Sequence, residues 1–249
     1  MNETMTTIMN RKSVRAYTDR EISPECREQI LRAAAAAPTA GNQQLYTILD
    51  ITSQELKEKL ADTCDHQPFI ARGKMVLVFC ADFQKWYQAF ALAGCRPRKP
   101  GPGDFLLAVE DAAIAAQNAV TAAESLGIGS CYIGDIMEHY EVHRELFHLP
   151  DYVFPALMLV FGYPTEQQRE RPKRRRAPLD FIVHENEYPQ FTSEDIRRNI
   201  GDLNGMEFDQ WMEKFCKRKY HADFSLEMSR SVGAFLKRLE DYMGMENKN

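Results

Sequence analysis

The sequence lacks the usual marks of a secreted, membrane or dithiol protein. Its six cysteines are all at least 15 residues apart, so the C-x-x-C spacing of zinc and dithiol redox sites does not occur. No apolar run approaches the ~20 residues that a transmembrane helix needs. The N-terminal stretch has no apolar region of the kind that a signal peptide carries. These absences predict a cytoplasmic protein with free, mostly buried thiols and no membrane partner.

The common nucleotide-binding and hydrolytic motifs are also missing. Neither G-x-G-x-x-G nor G-x-x-x-x-G-K follows a predicted strand, which excludes both standard nucleotide loops. No G-x-S-x-G elbow is present for an acyl-transfer serine. His139 and His143 share one helix face, but no third ligand accompanies them, so we predict no metal site. A net charge of −5 argues against a nucleic-acid partner.

The chain does contain enough apolar residues for a full core, since 44% of its 249 residues are hydrophobic. Apolar, β-favouring runs predict four strands, over residues 45–51, 75–81, 130–133 and 153–161. Helix-capping residues predict helices that begin at Ser23, Thr52 and Asp104. A further helix is predicted over residues 137–147, and two or three amphipathic helices finish the chain. Three prolines and three glycines predict an exposed loop over residues 94–103.

Three residues near the N-terminus suggest an anion site. Arg11, Ser13 and Arg15 alternate, so in an extended segment their side chains point the same way. Two guanidinium groups and a hydroxyl on one side suit a phosphate or an electron-rich ring edge. The alternative, from these residues alone, is a solvated basic N-terminus.

Three later segments also have the composition of a ligand site. The loop over residues 38–44 carries amide side chains that can both donate and accept hydrogen bonds, as a heteroaromatic edge requires. Gly134 directly follows a predicted strand, where a flat ligand could approach the backbone N–H closely. The run Arg171–Arg176 concentrates positive charge that a phosphate would neutralise. The alternatives are a polar turn, an ordinary helix-to-strand loop, and a nucleic-acid patch that the acidic remainder disfavours.

Taken in order, these features resemble the nitroreductase family of FMN-dependent oxidoreductases, most closely its oxygen-insensitive NADPH nitroreductases and NADPH flavin reductases. The resemblance rests on R-x-S-x-R, A-A-Q-N-A-x-x-A-A-E-S-L-G-x-G, Y-I-G, F-G-Y-P, a basic pair before a proline, and V-H-E-N-x-Y. It implies an α+β three-layer sandwich in which helices flank a mostly antiparallel sheet. It also implies a homodimer whose C-terminal segments are exchanged between subunits. Residues 1–190 would form the FMN-binding core and residues 191–249 a C-terminal helical extension of the same domain.

The resemblance assigns roles to individual residues. FMN would lie at the subunit interface, with its phosphate held by Arg11, Ser13 and Arg176. Arg15 and Arg174 would face the pyrimidine edge of the ring, where positive charge stabilises the anionic reduced flavin. Thr39, Ala40 and Asn42 would line the ribityl chain and the ring edge, and Gln67 would hydrogen-bond the ring. The remaining expected contacts are at the strand end, with Tyr132, Ile133 and Gly134. There the Gly134 N–H would donate to flavin N5.

The implied reaction is ping-pong hydride transfer. NADPH or NADH would reduce the flavin at N5, and a nitroaromatic, a quinone or free flavin would then take the electrons. The flavin does this chemistry, so no catalytic side chain is expected. Lys217, Arg218 and Lys219 are candidates for the 2′-phosphate of NADPH, with a solvated helix face as the alternative. Two other functions stay open: a flavin-binding or storage protein, and a flavoenzyme of this fold that NAD(P)H does not reduce.

Overall fold

A computed structural model describes residues 1–201, 203 and 205–245. The strands found there are β1 (Tyr46–Asp50), β2 (Met75–Asp82), β3 (Gly129–Ile133) and β4 (Val153–Gly162). The helices are α1 (Glu3–Asn10), α2 (Pro24–Ala35), α3 (Gln54–Thr63), α4 (Gln84–Leu92), α5 (Pro102–Ser125), α6 (Tyr140–Leu146), α7 (Glu166–Glu170), α8 (Ser193–Asn199), α9 (Phe208–Tyr220) and α10 (Asp223–Met245). The chain divides into two compact units. Residues 1–170 and the described residues from Glu227 onward form the first unit, and the described residues between 171 and 226 form the second.

The first unit is built on a four-stranded antiparallel sheet with the strand order β1-β2-β4-β3. Every residue of β2 is buried, and its side chains alternate between two apolar clusters. Leu77 and Phe79 belong to the cluster with α2, α5 and α10. Val76 and Val78 belong to the cluster with α3. Helix-covered apolar layers on both faces of the sheet make a three-layer α+β sandwich, which confirms the predicted fold class.

The alanine-rich α5 is the central helix of this unit. Small side chains let it approach the sheet and α2 closely; the fully buried ones are Ala108, Ala112, Ala115, Ala116, Ala119 and Ala123. Phe105 in its first turn packs against Phe154 of β4 and Phe235 of α10, with ring centres 5.4 and 5.0 Å away. Gly127 follows the helix with a φ of 72°, as a predicted C-cap glycine requires.

Two predicted helix starts are wrong by a few residues. The N-cap of α3 is Ser53, whose hydroxyl accepts a first-turn N–H, and not Thr52. The N-cap of α5 is Gly101, and Asp104 lies in the first turn. Glycine has no side chain that could cap the helix. The Asp104 carboxylate instead reaches back and accepts the Gly101 N–H at 2.7 Å. The same carboxylate binds Arg98 at 2.6 Å, so the loop before α5 is fixed to this helix.

Other elements differ from the predictions in length or were not foreseen. The helix predicted over 137–147 covers only Tyr140–Leu146, because a 3-10 turn over Asp135–Met137 and a left-handed His139 precede it. Helices α1, α4 and α7 were not predicted. The signal for α1 was present, since the Asn2 side chain caps its first turn.

The second unit contains α8, α9 and the first residues of α10. Trp211 and Phe215 of α9 stack with ring centres 4.6 Å apart. Gly201, with a φ of 87°, lies against the Trp211 ring. The predicted division of the chain at residue 190 stays a prediction. Among the described helices, none combines the length and apolar character needed to cross a bilayer.

Candidate functional site

The segment after α1 runs along the outer edge of β3. Val14 donates its N–H to the Ser130 carbonyl at 2.9 Å, and a parallel bridge pairs Ser13 with Ser130. The Val14 side chain is only 3% exposed. It fits there because Gly129 has no Cβ; one built at that position would lie 2.6 Å from Val14 Cγ2. Since side chains alternate along an extended segment, Ser13 and Arg15 point away from the side that Val14 buries.

Tyr17 fixes the far end of this segment. The carbonyl oxygens of Val14 and Val160 share its single hydroxyl proton, at 2.8 and 3.1 Å. Its ring covers Gly162, where a Cβ would come within 2.6 Å of the ring. Burial raises the pKa of Tyr17, so its hydroxyl remains a donor at neutral pH. The segment is therefore held in one register beside β3.

Arg11 and Arg15 have no carboxylate partner among the residues that the structure describes. Arg15 hydrogen-bonds to the Cys131 thiol, and its guanidinium carbon is 6.0 Å from the centre of the Phe69 ring. Burial raises the pKa of Cys131, and the positive charges of Arg15 and Arg11 oppose that rise. Two cations without a counterion beside one strand are suited to an anionic ligand.

Gln67 lies in the turn after α3 and contacts the end of β3. Its amide nitrogen donates to the Cys64 carbonyl at 2.9 Å and to Asp135 Oδ2 at 2.7 Å. A carboxylate can only accept, so the NH₂ group must face Asp135, and Oε1 of Gln67 is left as an acceptor. Asp135 directly follows Gly134 in the chain. Gln67 is therefore hydrogen-bonded to the residue that follows Gly134.

The end of β3 is open at Gly134. The last pair of the β3–β4 ladder joins Ile133 to Met158, so the Gly134 N–H lies beyond the ladder. A Cβ on Gly134 would meet only the terminal methyl groups of Met137 and Met228, each at 3.9 Å. This is the environment in which a flat ligand can reach the backbone.

Tyr132 and Ile133 direct their side chains into the protein. The Tyr132 hydroxyl donates to Gln117 of α5 at 3.2 Å, and burial raises the pKa of Tyr132 to about 12. Ile133 belongs to the buried cluster on the α3 side of the sheet. Any contact of these two residues with a ligand at the strand end would therefore be made by their backbone.

Two carboxyl groups that the sequence analysis missed lie directly behind this strand end. Glu138 is 4% exposed, and its Oε1 has no hydrogen-bond partner among the described residues. Burial, followed by the charge of Asp135, raises the pKa of Glu138 to about 8. Their signal in the sequence is D-x-x-E after Y-I-G. The same spacing occurs at ordinary helix starts, so it does not single out a site.

The polar loop over residues 38–44 contains a 3-10 turn, Ala40–Asn42. Asp111 of α5, which is 2% exposed, accepts the backbone N–H groups of Ala40 and Leu45, both at 3.0 Å. A buried carboxylate with two backbone donors fixes the loop against α5. Asp111 was also missed, because a lone acid among alanines does not stand out in a helical pattern.

The predicted site residues of the first unit lie in two groups. One group surrounds β3 and consists of Arg11, Ser13, Arg15, Gln67, Tyr132, Ile133 and Gly134. The other group precedes β1 and consists of Thr39, Ala40 and Asn42. Because β1 and β3 are the opposite edges of the sheet, roughly 14 Å of sheet separates them. A single chain does not bring the two groups together.

The remaining predicted residues belong to the second unit, which has its own cavity of about 850 Å³. Arg174, Arg176 and Arg218 line this cavity. Of the other two candidates for the NADPH phosphate, Lys217 pairs with Glu213 at 2.8 Å, and Lys219 lies 5.2 Å from the centre of the Phe224 ring. Of the three, Arg218 is the one found among the described lining residues.

His139 and His143 do not share a helix face, because His139 precedes α6 with a left-handed backbone, and His143 is engaged in the fold. The two ring nitrogens of His143 lie 2.9 Å from the Ile136 carbonyl and 2.8 Å from the Thr63 hydroxyl. Burial lowers the pKa of His143 to about 4, so the ring is neutral. In the described part of the chain, no three His, Cys, Asp or Glu side chains are grouped so as to hold a metal ion.

A profile of the Nitroreductase family matches residues 8–163, which is more than half of the chain. The chain belongs to the nitroreductase family. The match begins just before the Arg11 segment and ends just after β4, so it spans the whole sheet.

Members of the nitroreductase family with described activities are similar over most of the chain. The FMN reductase (NADPH) of Bacillus subtilis is 32% identical over 86% of this chain and 85% of its own length. The oxygen-insensitive NADPH nitroreductase of Salmonella typhimurium is 35% identical over 76% of this chain and 75% of its own. The structure of the NADPH:FMN oxidoreductase of Vibrio harveyi, complexed with NAD+, aligns with a TM-score of 0.77 and 25% identity, over 94% of this chain and 98% of that one.

Proposed function

We propose that the protein is an FMN-dependent NAD(P)H oxidoreductase that reduces nitroaromatics, quinones or free flavin. The observation that carries the proposal is the β3 edge, where two arginines without carboxylate partners among the described residues, an amide acceptor and an open glycine backbone lie around one strand end. The nitroreductase and FMN reductase relatives support the same activity.

This set of groups fits FMN. A phosphate needs a cation that no carboxylate has neutralised, which Arg11 would supply, and the Ser13 hydroxyl would add a hydrogen bond. Arg15 would face the pyrimidine edge of the ring, Gln67 would hydrogen-bond the ring, and the Gly134 N–H would meet N5. Bound FMN supplies two-electron chemistry, taking up a hydride at N5 and giving it to an acceptor. The chain binds and orients it and keeps positive charge beside the pyrimidine.

The proposal includes a homodimer. Thr39, Ala40 and Asn42 lie at the opposite sheet edge from Gly134, so they would contact the flavin that the partner subunit holds. The apolar side chains exposed on α1 and α5 suit a subunit interface; they are Met5, Ile8, Met9, Leu106, Leu107 and Ile114. Exchange of C-terminal segments between subunits is part of the same proposal, and Arg174 and Arg176 would then join the FMN site.

NADPH is the electron donor that the second unit favours. Besides Arg174 and Arg176, which would join the FMN site, its cavity is lined by Arg175, by Arg218 and by the stacked Trp211 and Phe215, which suits a ligand with both phosphate and ring groups. Arg218 would bind the 2′-phosphate, since Lys217 already has a carboxylate partner. NADH lacks that phosphate and would bind more weakly.

The test is to purify the protein without added flavin, record its visible spectrum and add NADPH, then NADH, under anaerobic conditions. A flavin spectrum that bleaches with donor and returns with a quinone or a nitroaromatic is expected. Bound flavin that neither donor bleaches would overturn the oxidoreductase proposal and leave a flavin-binding protein. A colourless protein that takes up no FMN would overturn the cofactor assignment.

A matched pair of variants locates the cofactor. Arg11→Ala should lose FMN affinity by tenfold or more, on the basis of ~1.5–3 kcal/mol for a hydrogen bond to a charged group. Arg32→Ala removes the same charge from α2, where Arg32 is exposed and paired with Glu28, and should bind FMN as the parent does. Equal loss in both variants would mean that FMN is bound elsewhere.

A further inference from the structure

Asp135 and Glu138 form a carboxyl pair at the end of β3. Asp135 directly follows Gly134, is partly exposed, and is held by Gln67 at 2.7 Å. Glu138 lies behind it, 4% exposed. The Glu138 N–H donates to the Asp135 carbonyl at 3.0 Å, which closes the 3-10 turn that brings the two side chains together. Within the described part of the chain, Glu138 Oε1 has no hydrogen-bond partner.

Two carboxyl groups can hydrogen-bond to each other only when one of them carries a proton, because an ionised carboxylate has no donor. Two neighbouring negative charges in a buried place also disfavour ionisation of both groups. Glu138 is buried beside Asp135, and its Oε1 has no partner among the described residues, so one proton held by the pair is the state that these surroundings favour. Since Glu138 is the more buried of the two and Asp135 Oδ2 accepts the Gln67 amide, the proton belongs on Glu138.

The surroundings of Glu138 keep the proton there. The charged groups that raise its pKa besides Asp135 are Asp65, after α3, and Glu227, on α10. The other titratable groups at this place are Cys64, whose pKa is raised by burial, His143, which is neutral, and His139, 3.6 Å from Glu227. The cation Arg230 is bound by Glu227 and Glu141. Glu138 thus gains no positive partner among the described residues.

We propose that Glu138 is a positioning residue that keeps one proton on the Asp135–Glu138 pair, from which Asp135 delivers it at the strand end during turnover. The inference rests on the proposed function, which places the redox site at Gly134. Reduction of a quinone follows NADPH + H⁺ + quinone → NADP⁺ + hydroquinone, so each turnover takes up one proton beyond the hydride. Asp135 would release that proton to the acceptor oxygen, directly or through water, and the pair would take a replacement from solvent.

The proton on the pair can be tested without flavin. Infrared difference spectroscopy of the protein without FMN should show the carbonyl stretch of a protonated carboxylic acid at pH 7, which disappears as the pH rises through about 8. Glu138→Gln should remove this band. Glu145→Gln, which removes an exposed carboxylate from the same helix region, should keep it. Absence of the band in the parent, or its survival in Glu138→Gln, would overturn the proposal.

The role in turnover is tested with the flavin-loaded enzyme. The parent rate of quinone reduction should fall as the pH rises through about 8. Glu138→Gln should lower kcat by about tenfold or more, on the scale of general acid catalysis, with the KM for quinone little changed and the step near pH 8 absent. If Glu138→Gln keeps the pH profile of the parent, Glu138 has only a structural role and the proposal is wrong. If the parent protein does not bind flavin, or if its flavin is not bleached, the proposed function is wrong. The infrared test of the proton on the pair does not depend on that result.

Discussion

Arg218 and Lys217 are neighbours on α9 with the same charge and different surroundings. Arg218 lines the cavity of the second unit, whereas Lys217 is paired with Glu213. We expect Arg218→Ala to raise the KM for NADPH roughly tenfold to a hundredfold, because a charge-assisted hydrogen bond contributes ~1.5–3 kcal/mol. The KM for NADH should stay within about twofold, since NADH has no 2′-phosphate. Steady-state kinetics with both donors measures this.

Lys217→Ala is the control for this prediction. It removes one positive charge from the adjacent position, so any general effect of net charge on an anionic donor would appear in both variants. We expect its KM for NADPH to match the parent. If Lys217→Ala and Arg218→Ala weaken NADPH equally, the cavity is not the phosphate site.

Glu138 should also make the stability of the fold depend on pH. Its ordinary pKa of 4.5 is raised to about 8 in the folded chain. Between these values the unfolded chain has released the proton and the folded chain has kept it, so the free energy of unfolding falls as the pH rises. Below 4.5 and above 8 the contribution is flat. Urea unfolding of the parent and of Glu138→Gln from pH 4 to 9 measures the difference, which should favour the variant increasingly up to about pH 8. Parallel curves would contradict it.

The N-terminal segment and β3 fit together because Val14 occupies the space that Gly129 leaves. A methyl group at Gly129 would lie 2.6 Å from Val14 Cγ2. We expect Gly129→Ala to destabilise the fold by ~1–3 kcal/mol, as overpacking does, and to weaken FMN binding by displacing the Arg11–Arg15 segment. The double variant with Val14→Gly, which also removes the Val14 Cβ that would lie 2.9 Å away, should recover FMN binding, although loss of the valine still costs stability. Urea unfolding and FMN titration measure the two effects.

Gly103→Ala is the matched control. Apart from its chain neighbours and the backbone of α5, no atom of the described residues lies within 4 Å of a Cβ at Gly103, which is in the first turn of α5 and has no left-handed backbone. Alanine there should leave FMN binding unchanged and raise stability by up to ~1 kcal/mol, since glycine is the poorer helix residue. If the double variant fails to recover FMN binding, the contact with Val14 is not the reason for the glycine.

The helices and strands that the sequence patterns predicted are those that residues close together in the sequence determine. A continuous apolar run is sufficient to predict β2, and an alanine-rich stretch ending in Gly127 to predict α5. Asp111 could not be found this way, because its partners Ala40 and Leu45 are 71 and 66 residues away in sequence. The separation of the two groups of site residues depends on strand order, which the pattern within each strand does not encode.

At the scale of the whole molecule, the predicted site residues lie at opposite edges of the sheet. This separation determines whether one chain or two chains are needed to bind FMN. Thr39, Ala40 and Asn42 lie beside β1, and Gly134 lies at the end of β3. If both groups contact one cofactor, two chains must meet, and the exposed apolar side chains of α1 and α5 provide a surface for that contact. Dimerisation and FMN affinity should then be lost together.

A charge on this surface tests the coupling. Ile114 of α5 is 41% exposed, and Val142 of α6 is 43% exposed, so glutamate at either position meets similar solvent in the isolated chain. In the proposed dimer, Ile114→Glu would bury an unpaired charge, which is costly. We expect Ile114→Glu to sediment as a folded monomer that binds FMN at least tenfold more weakly, and Val142→Glu to stay dimeric with parent affinity. A monomeric Ile114→Glu that keeps its FMN would show that one chain completes the site, and the residues beside β1 would then need another role.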